Sequence, residues 1–448
     1  MKNNVKKLVA AIATSAALLG AGAAVADIKI GIAGPMTGPV AQYGDMQFSG
    51  ARMAIERINA AGGVMGENLV AVEYDDVCDP KQAVTVANAL INDGVKYVIG
   101  HLCSSSTQPA ADIYEDEGIL MITPASTSPD ITSRGYELVF RTIGLDSMLG
   151  AVAGKYLASL KPKKVAVIHD KQQYGEGIAT AVRDTLKDAG VEIAMFEGIT
   201  AGDKDFSSLV TKLKQAQVDY VYYGGYHPEL GLILRQARQA DLDAIFMGPE
   251  GVGNKDINTI AGEAAEGLLV TLPPAFDEKE ANKDLVAAFA AKEQDPSGPF
   301  VLTSYAAVQL VAEGIEKAGS KDPFEVAAAL RATSFETPIG TVQYDKAGDM
   351  KSFEFVVYEW HSDGSKTPVS NKRGPPTRRC RSGASPAAAL KETTPRSLPT
   401  FARCLSKLLI QTLIARHNCL LRASLPVRSR FPEMAPHARP SVLLSAAY

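Results

Sequence analysis

The stretch VKYVIGHLCSSSTQPAADIYEDEGILMIT, residues 95–123, decides the fold. Two short apolar runs, VKYVIG and ILMIT, flank a segment of helical length from about Ser104 to Glu117. A strand, a helix and a second strand in this order are typical of a parallel βαβ unit. The stretch therefore predicts an α/β fold.

The same alternation runs through the chain in two sets. The first set begins at IKIGIAG (28–34), and the second runs from KKVAVIHD (163–170) to DAIFMG (243–248). Two sets predict two doubly wound parallel-sheet lobes. Ligands of such sheets bind beyond the carboxyl ends of the strands, so we expect a cleft between the lobes.

The chain should pass between the lobes three times, through short extended segments near residues 138–143, 271–276 and 351–355. These three interlobe crossovers divide the chain. The expected divisions are a signal peptide at 1–26, lobe 1 at 27–142 and 275–352, lobe 2 at 143–274 and 353–370, and a tail at 371–448.

The first 26 residues have the pattern of a secretory signal peptide. A basic segment, MKNNVKK, precedes a Gly- and Ala-rich apolar run, and Ala24-Val25-Ala26 forms a small-x-small cleavage site. The alternative, an uncleaved anchor, is less favoured because the run falls short of the roughly 20 strongly apolar residues of a membrane span. We therefore expect cleavage near Ala26 and localisation in the periplasm.

Charge separates the tail from the rest. Residues 27–370 carry 29 Lys and Arg against 48 Asp and Glu, which argues against nucleic acid or an anionic membrane as a partner. Residues 371–448 carry 14 basic and 2 acidic residues. The tail could be a basic arm for nucleic acid or lipid, or out-of-frame or read-through translation. Its lack of periodicity favours the second interpretation and predicts disorder.

Two hydroxyl-rich segments follow neighbouring strands of the first set. Ser104 to Thr107 lie where a strand gives way to a helix, and TPASTSPD spans 123–130. Free backbone N–H groups and hydroxyls at a helix N-terminus favour an anion, and a carboxylate suits such a site. The alternatives are plain helix capping and turn chemistry.

The second set of strands and helices contains an acidic residue that would complement this anion site. Glu250 in GPEG follows the strand DAIFM and could receive an ammonium group, or it could be a hydrated loop glutamate. Tyr43, Tyr174 and Tyr226 stand beside glycines at equivalent sheet edges, where aromatic rings make good walls for an apolar side chain. Core packing is the alternative for each tyrosine.

Signals of catalysis, metal or cofactor binding are weak. The glycines of GIAGPMTG lack the dinucleotide spacing, and a P-loop and a G-x-S-x-G elbow are missing. Cys78 and Cys103, the two cysteines of the acidic region, suggest one disulfide. A bridge would remove the thiol that His101 could otherwise activate. We predict no catalytic residue, no metal and no cofactor.

Long motifs complete the picture, among them YDDVCDPKQAV, DGVKYVIGHLCSSSTQPA, HDKQQYGEG, FMGPEGV and QDPSGPF. From Asp27 to Thr367 the chain closely resembles the periplasmic branched-chain amino-acid-binding proteins (leucine/isoleucine/valine-binding proteins) of bacterial ABC importers. The resemblance implies a periplasmic binding protein type I fold, a cleft that closes on its ligand, and no catalysis. Its implied partners are leucine, isoleucine or valine and an inner-membrane ABC permease, and its implied assembly is a monomer.

The resemblance also assigns roles to residues. Ser104, Ala125 and Thr127 would hold the amino acid's carboxylate and part of its ammonium group, and Glu250 would accept the ammonium from the other lobe. Cys78 would bridge Cys103. The residues implied to line the side-chain pocket are Tyr43, Leu102, Tyr174, Tyr226 and Phe300.

Two other functions compete with this one. An exported enzyme acting on an amino acid or amide would use Glu250 or His101 as a base. A ligand sensor without a transporter would share the whole binding site. Within the binding hypothesis, one methylene contributes only about 0.8 kcal/mol by burial, so leucine, isoleucine and valine should all bind.

Overall fold

The computed structural model describes residues 27–369. The strands are β1 (Ile28–Gly34), β2 (Leu69–Asp75), β3 (Tyr97–Gly100), β4 (Leu120–Thr123), β5 (Val139–Arg141), β6 (Val165–His169), β7 (Ile193–Gly198), β8 (Tyr220–Gly224), β9 (Ile245–Gly248), β10 (Leu268–Leu272), β11 (Phe335–Thr337), β12 (Gly340–Val342), β13 (Val356–Trp360) and β14 (Lys366–Pro368). The α-helices are α1 (Ala41–Ala60), α2 (Pro80–Asn92), α3 (Ser104–Asp116), α4 (Asp146–Ser159), α5 (Gln173–Asp188), α6 (Ser207–Ala216), α7 (His227–Gln239), α8 (Asp256–Ala261), α9 (Lys283–Ala290), α10 (Val301–Ala318) and α11 (Pro323–Ala332).

Lobe 1 is built on a five-stranded sheet of order β2-β1-β3-β4-β5, parallel throughout. Helices cover both faces, so the strands are buried on both sides and read as continuous apolar runs. One face packs against α1 and α10, and the other against α2 and α3. Ile30, Ile32, Val98 and Ile99 lie fully buried in its central strands.

Lobe 2 is built on a seven-stranded sheet of order β14-β13-β10-β9-β8-β6-β7. The five neighbouring strands β7, β6, β8, β9 and β10 are parallel. At the other edge, β13 pairs antiparallel with β10, and β14 pairs antiparallel with β13. Helices α4 and α5 cover one face, and α6 to α8 cover the other. The prediction of two doubly wound α/β lobes is confirmed, with two antiparallel strands added in lobe 2.

The chain passes between the lobes three times. It leaves the first sheet after β5, returns after β10 to pack α10 against lobe 1, and enters the second sheet again at β13. The exact residues at which one lobe ends and the other begins stay a prediction. The predicted signal peptide at 1–26 and the predicted tail at 371–448 lie outside the described residues.

Several element bounds differ from the sequence prediction. The amphipathic run QFSGARMAIERINAAGG (47–63) predicts a helix from Gln47, but α1 begins at Ala41, because its first turn faces the cleft and shows no core-facing apolar period. The pattern did not identify α4, whose residues alternate small and apolar types on all sides, or the short helices α8 and α9. The run SFEFVVYEWHSDG (352–364) predicts the last strand, but β13 spans only Val356–Trp360 and β14 follows at Lys366–Pro368.

A disulfide joins Cys78 to Cys103, with the two Cα atoms 5.6 Å apart. The predicted bridge is confirmed. It ties the loop after β2 to the N-terminus of α3 across 25 residues of chain.

We expect the double substitution Cys78→Ser/Cys103→Ser to lower the free energy of unfolding by about 3 kcal/mol, because the open chain regains loop entropy when unfolded. Urea unfolding of the variant and the oxidised parent protein would measure the difference. The parent protein under a reducing agent is the matched control and should unfold like the variant. Equal unfolding midpoints for the variant and the oxidised parent would contradict the prediction.

Within residues 27–369, no helix combines the length and the apolar character needed to cross a membrane.

Candidate functional site

The predicted site residues lie where strands give way to helices. Ser104 opens α3, Tyr226 immediately precedes α7, and Phe300 immediately precedes α10. Tyr43 and Tyr174 lie in the first turns of α1 and α5. This common placement brings residues from both lobes to one cleft.

The serines of α3 do not cap their helix. Cys103 occupies the N-cap position, and its side chain makes no capping hydrogen bond. Ser104 is 1% exposed, and its Oγ and that of Ser106 have no hydrogen-bond partner among the described residues. Thr107 Oγ1 instead donates to the Cys103 carbonyl at 3.0 Å. The capping alternative therefore fails, and Ser104 presents a buried hydroxyl beside a helix N-terminus that favours anions.

The loop after β4 carries Ala125 and Thr127, both buried. Ser126, between them, donates from Oγ to the Leu102 carbonyl at 2.9 Å, which joins this loop to the start of α3. Its N–H donates to Thr123 Oγ1 at 3.0 Å. The two hydroxyl-rich segments therefore converge as predicted.

A buried arginine holds this loop in place. Arg141 Nη1 donates to the Ser126 carbonyl at 2.7 Å and Nη2 to the Ser128 carbonyl at 3.1 Å. Its Nε lies 2.6 Å from Asp349 Oδ1, and Thr132 Oγ1 donates to the same oxygen. The fully buried guanidinium thus fixes three segments of lobe 1 behind Thr127.

Glu250 begins a short 3₁₀ turn after β9 and is 1% exposed. The sequence alternative of a hydrated loop glutamate is therefore wrong. Its Oε2 has no hydrogen-bond partner among the described residues. Burial raises the pKa of this carboxyl to about 8, and the charge of Asp146 adds to the rise. A buried acid with a raised pKa is stabilised as a carboxylate when a cation comes close.

Aromatic rings line the space between these polar ends. The Tyr43 ring lies 5.5 Å from that of Phe300 and 6.4 Å from that of Tyr226, which in turn lies 5.2 Å from Tyr174. All of these residues are buried, and they share one apolar cluster with Leu102 and Ala125. Burial raises the pKa of each tyrosine hydroxyl well above its usual value, so all three stay neutral.

The lobes contact one another around this cluster. The Tyr43 hydroxyl donates to the Glu250 carbonyl at 3.4 Å. Further pairs that join the lobes include Gln173 with Ser128, Lys255 with Asp295, and Gln42 with His227. Glu250 of lobe 2 and Tyr43 of lobe 1 therefore belong to one site.

Other residues weighed as catalytic or metal-binding have structural roles. His101 is fully buried, with Nδ1 2.6 Å from Asp76 Oδ2 and Nε2 3.1 Å from the Tyr114 hydroxyl. Cys103 is held in the disulfide. Among residues 27–369, no group of three or more His, Cys, Asp or Glu side chains could hold a metal ion.

The sequence pattern does not indicate one buried acidic residue beside the site, Asp146. Asp146, the first residue of α4, is 2% exposed, and its N–H donates to the Thr127 carbonyl at 2.9 Å. It stands in GLDSMLG, in the first crossover segment, a few residues beyond the end of β5. The sequence signal for Asp146 is its position as an acidic residue close to a crossover between the lobes.

Two sheets with facing carboxyl edges and a buried polar cleft define a two-lobed solute-binding protein. Residues 27–365 match the family described as periplasmic binding protein, and the chain belongs to that family. This family membership also confirms that the chain is a binding protein and not an enzyme.

Two relatives of high sequence identity are named as amino-acid-binding proteins. The chain is 66% identical over 343 residues to the leucine-, isoleucine-, valine-, threonine- and alanine-binding protein of Pseudomonas aeruginosa, covering 76% of this chain and 92% of that one. It is 59% identical over 342 residues to the Leu/Ile/Val-binding protein of Escherichia coli, covering 76% and 93%.

Solved structures agree with these relatives. The branched-chain amino-acid transporter substrate-binding protein of Streptococcus pneumoniae, in complex with isoleucine, matches with a TM-score of 0.71 and 27% identity, covering 77% of this chain and 99% of that one. A leucine-binding protein from Thermotoga maritima matches with a TM-score of 0.72 and 28% identity, covering 77% and 98%. The predicted resemblance to branched-chain amino-acid-binding proteins is confirmed.

Proposed function

We propose that this protein captures leucine, isoleucine and valine in the periplasm by closing its two lobes on the amino acid, and that it delivers them to an ABC importer. The observation that carries the proposal is the composition of the cleft. It combines the Ser104 hydroxyl of one lobe and the Glu250 carboxyl of the other, each with an oxygen that has no hydrogen-bond partner within residues 27–369, and an aromatic wall between them.

The polar ends fit a zwitterion. The amino acid's carboxylate would accept from Ser104, Thr127 and backbone N–H groups, and its ammonium would donate to Glu250 and to a carbonyl near Ala125. Each charge-assisted hydrogen bond is worth roughly 1.5 to 3 kcal/mol when both groups are otherwise buried. Because the two ends belong to different lobes, the ligand makes all of its contacts only when the lobes are together, and binding then favours closure.

The apolar wall sets the side-chain preference. The buried rings and Leu102 offer no charged partner, so a charged side chain would be desolvated without compensation. Apolar side chains of different size are discriminated only weakly, by about 1 to 3 kcal/mol for each methylene. This argues for a site that accepts several branched aliphatic amino acids.

We expect calorimetry to show binding of leucine, isoleucine and valine within about 200-fold of one another, and no measurable binding of aspartate or lysine. Endogenous ligand should first be removed by unfolding and refolding. Leucinamide, which keeps the side chain and loses the carboxylate, is the matched control ligand and should bind much more weakly than leucine. Absence of heat with all three branched amino acids would contradict the proposal.

Delivery to a transporter needs a test in cells. Deleting the gene should abolish high-affinity uptake of radiolabelled leucine, and the intact gene should restore it. A gene that carries Glu250→Gln should not restore uptake. Unchanged uptake in the deletion strain would favour the alternative of a ligand sensor without transport.

A further inference from the structure

Asp146 carries a buried carboxyl that takes part in none of the ligand contacts proposed above. Both carboxylate oxygens lack a hydrogen-bond partner in the described part of the chain. Its N–H donates to the Thr127 carbonyl, so Asp146 adjoins the loop assigned to the ligand's polar end. An acidic side chain that is buried without a partner is costly unless a cation or a proton accompanies it.

The helix opposite leaves space for this carboxyl. A Cβ atom at Gly177 of α5 would lie 3.0 Å from Asp146 Oδ2, so a larger residue there would press on the carboxylate. The hydroxyl of the fully buried Tyr222 also lacks a partner within residues 27–369. Asp146 and Tyr222 are therefore two buried polar groups of lobe 2 that lie close enough for the charge of Asp146 to act on the Tyr222 hydroxyl.

The charged groups that surround Asp146 and Glu250 do not neutralise these two carboxylates. The charged and titratable groups that face Asp146 or Glu250 from the surrounding elements are Asp130, Arg141, Tyr43, Tyr174, Tyr222 and Tyr226. Arg141 is the one cation among them, and its Nε lies against Asp349. Burial raises the pKa of Asp146 to about 7, although the Thr127 hydroxyl and Arg141 oppose the rise.

We propose that Asp146 is a second carboxyl of the amino-acid site, which shares the ligand's ammonium with Glu250, and that binding releases a proton held by this pair. The proposal rests on the proposed function. In the free site the two acids carry a proton between them at neutral pH. The arriving ammonium supplies the positive charge, and the proton leaves to solvent.

The sign of the pH dependence follows from this exchange. The ammonium stabilises the charged carboxylates, so each pKa is lower in the complex than in the free protein. Affinity is then complete above the free pKa values and falls as pH drops below them, by at most about tenfold per pH unit for each proton displaced. Leucine should therefore bind more tightly at about pH 7.5 than at about pH 6.

Calorimetry of leucine binding in buffers of different ionisation enthalpy counts the protons released. The parent protein should release close to one proton at about pH 6 to 7. In Asp146→Asn the proton held by Asp146 is gone, and the pKa of Glu250 loses the part of its rise that the charge of Asp146 adds, so proton release should drop below that of the parent protein and the pH slope should flatten. Affinity at about pH 7.5 should weaken roughly tenfold, because the ammonium loses one of two facing charges.

Asp170→Asn is the matched control. Asp170 is also 2% exposed, and burial raises its pKa to about 7 as well, but its acidic neighbours are Glu229 and Glu176. This variant should release as many protons as the parent protein. Unchanged proton release and pH slope in Asp146→Asn would overturn the inference.

The parent protein alone gives a second test that does not depend on whether the variant folds. Leucine binding without proton release between about pH 6 and 7.5 would also overturn the inference. Absence of leucine binding at every pH would instead refute the proposed function on which it rests.

Discussion

Glu250→Gln should lower leucine affinity by about 100-fold or more. Glutamine keeps the size and shape of the side chain but removes the charge that we expect to meet the ligand's ammonium. A charge-assisted bond in a closed, buried site is worth roughly 1.5 to 3 kcal/mol, and the unpaired ammonium adds its own desolvation cost. Calorimetry of the stripped variant with leucine measures the loss.

Glu229→Gln is the control for this substitution. Glu229 is also buried in lobe 2 and accepts the Gly202 N–H at 2.8 Å, but it lies outside the aromatic cluster. Its variant should bind leucine within about threefold of the parent protein. A Glu250→Gln protein that binds as tightly as the control would show that Glu250 is not the ammonium acceptor.

The second large effect concerns stability. Asp349→Ala should lower the free energy of unfolding by about 3 to 5 kcal/mol, because it leaves the Arg141 guanidinium buried without its carboxylate. The loop that carries Thr127 loses part of its support at the same time, so leucine affinity should fall too. Thermal and urea unfolding would measure the first effect.

The control for Asp349→Ala is a substitution in an exposed ion pair. Glu280 pairs with Lys283 at 2.7 Å, and the two side chains are 84% and 69% exposed. Glu280→Ala should change the free energy of unfolding by less than about 1 kcal/mol, because solvent screens such pairs. Equal effects of Asp349→Ala and Glu280→Ala would mean that the buried pair contributes no more than a surface one.

The fold was predictable because parallel strands buried on both faces have a strong pattern. The alternation around VKYVIG and ILMIT led directly to the strand-helix-strand units of lobe 1. Patterns fail where a segment does not face a core. The first turn of α1 faces the cleft, so its start and the helical position of Tyr43 were missed.

The site was predictable to the extent that its residues directly follow strands. Ser104 and Glu250 could be placed at sheet edges from sequence alone, and the structure places both in one cleft, whereas their roles toward a ligand stay a prediction. Asp146 and Arg141 could not be placed. Their positions depend on the path of the chain between the lobes, and their partners Thr127 and Asp349 are distant in sequence or belong to another segment.

The location of the pocket residues at the starts of helices partly separates ligand preference from stability. The strands and the inward faces of the helices make up the cores of the two lobes, while the first residues of α1, α3, α5, α7 and α10 surround the cleft. Substitutions at these few positions would change the shape of the pocket and, because the pocket rings share one apolar cluster with α4 and α5, would also alter the packing of one face of lobe 2. The cores on the other three sheet faces would stay as they are, so a change of ligand preference would disturb only part of the scaffold.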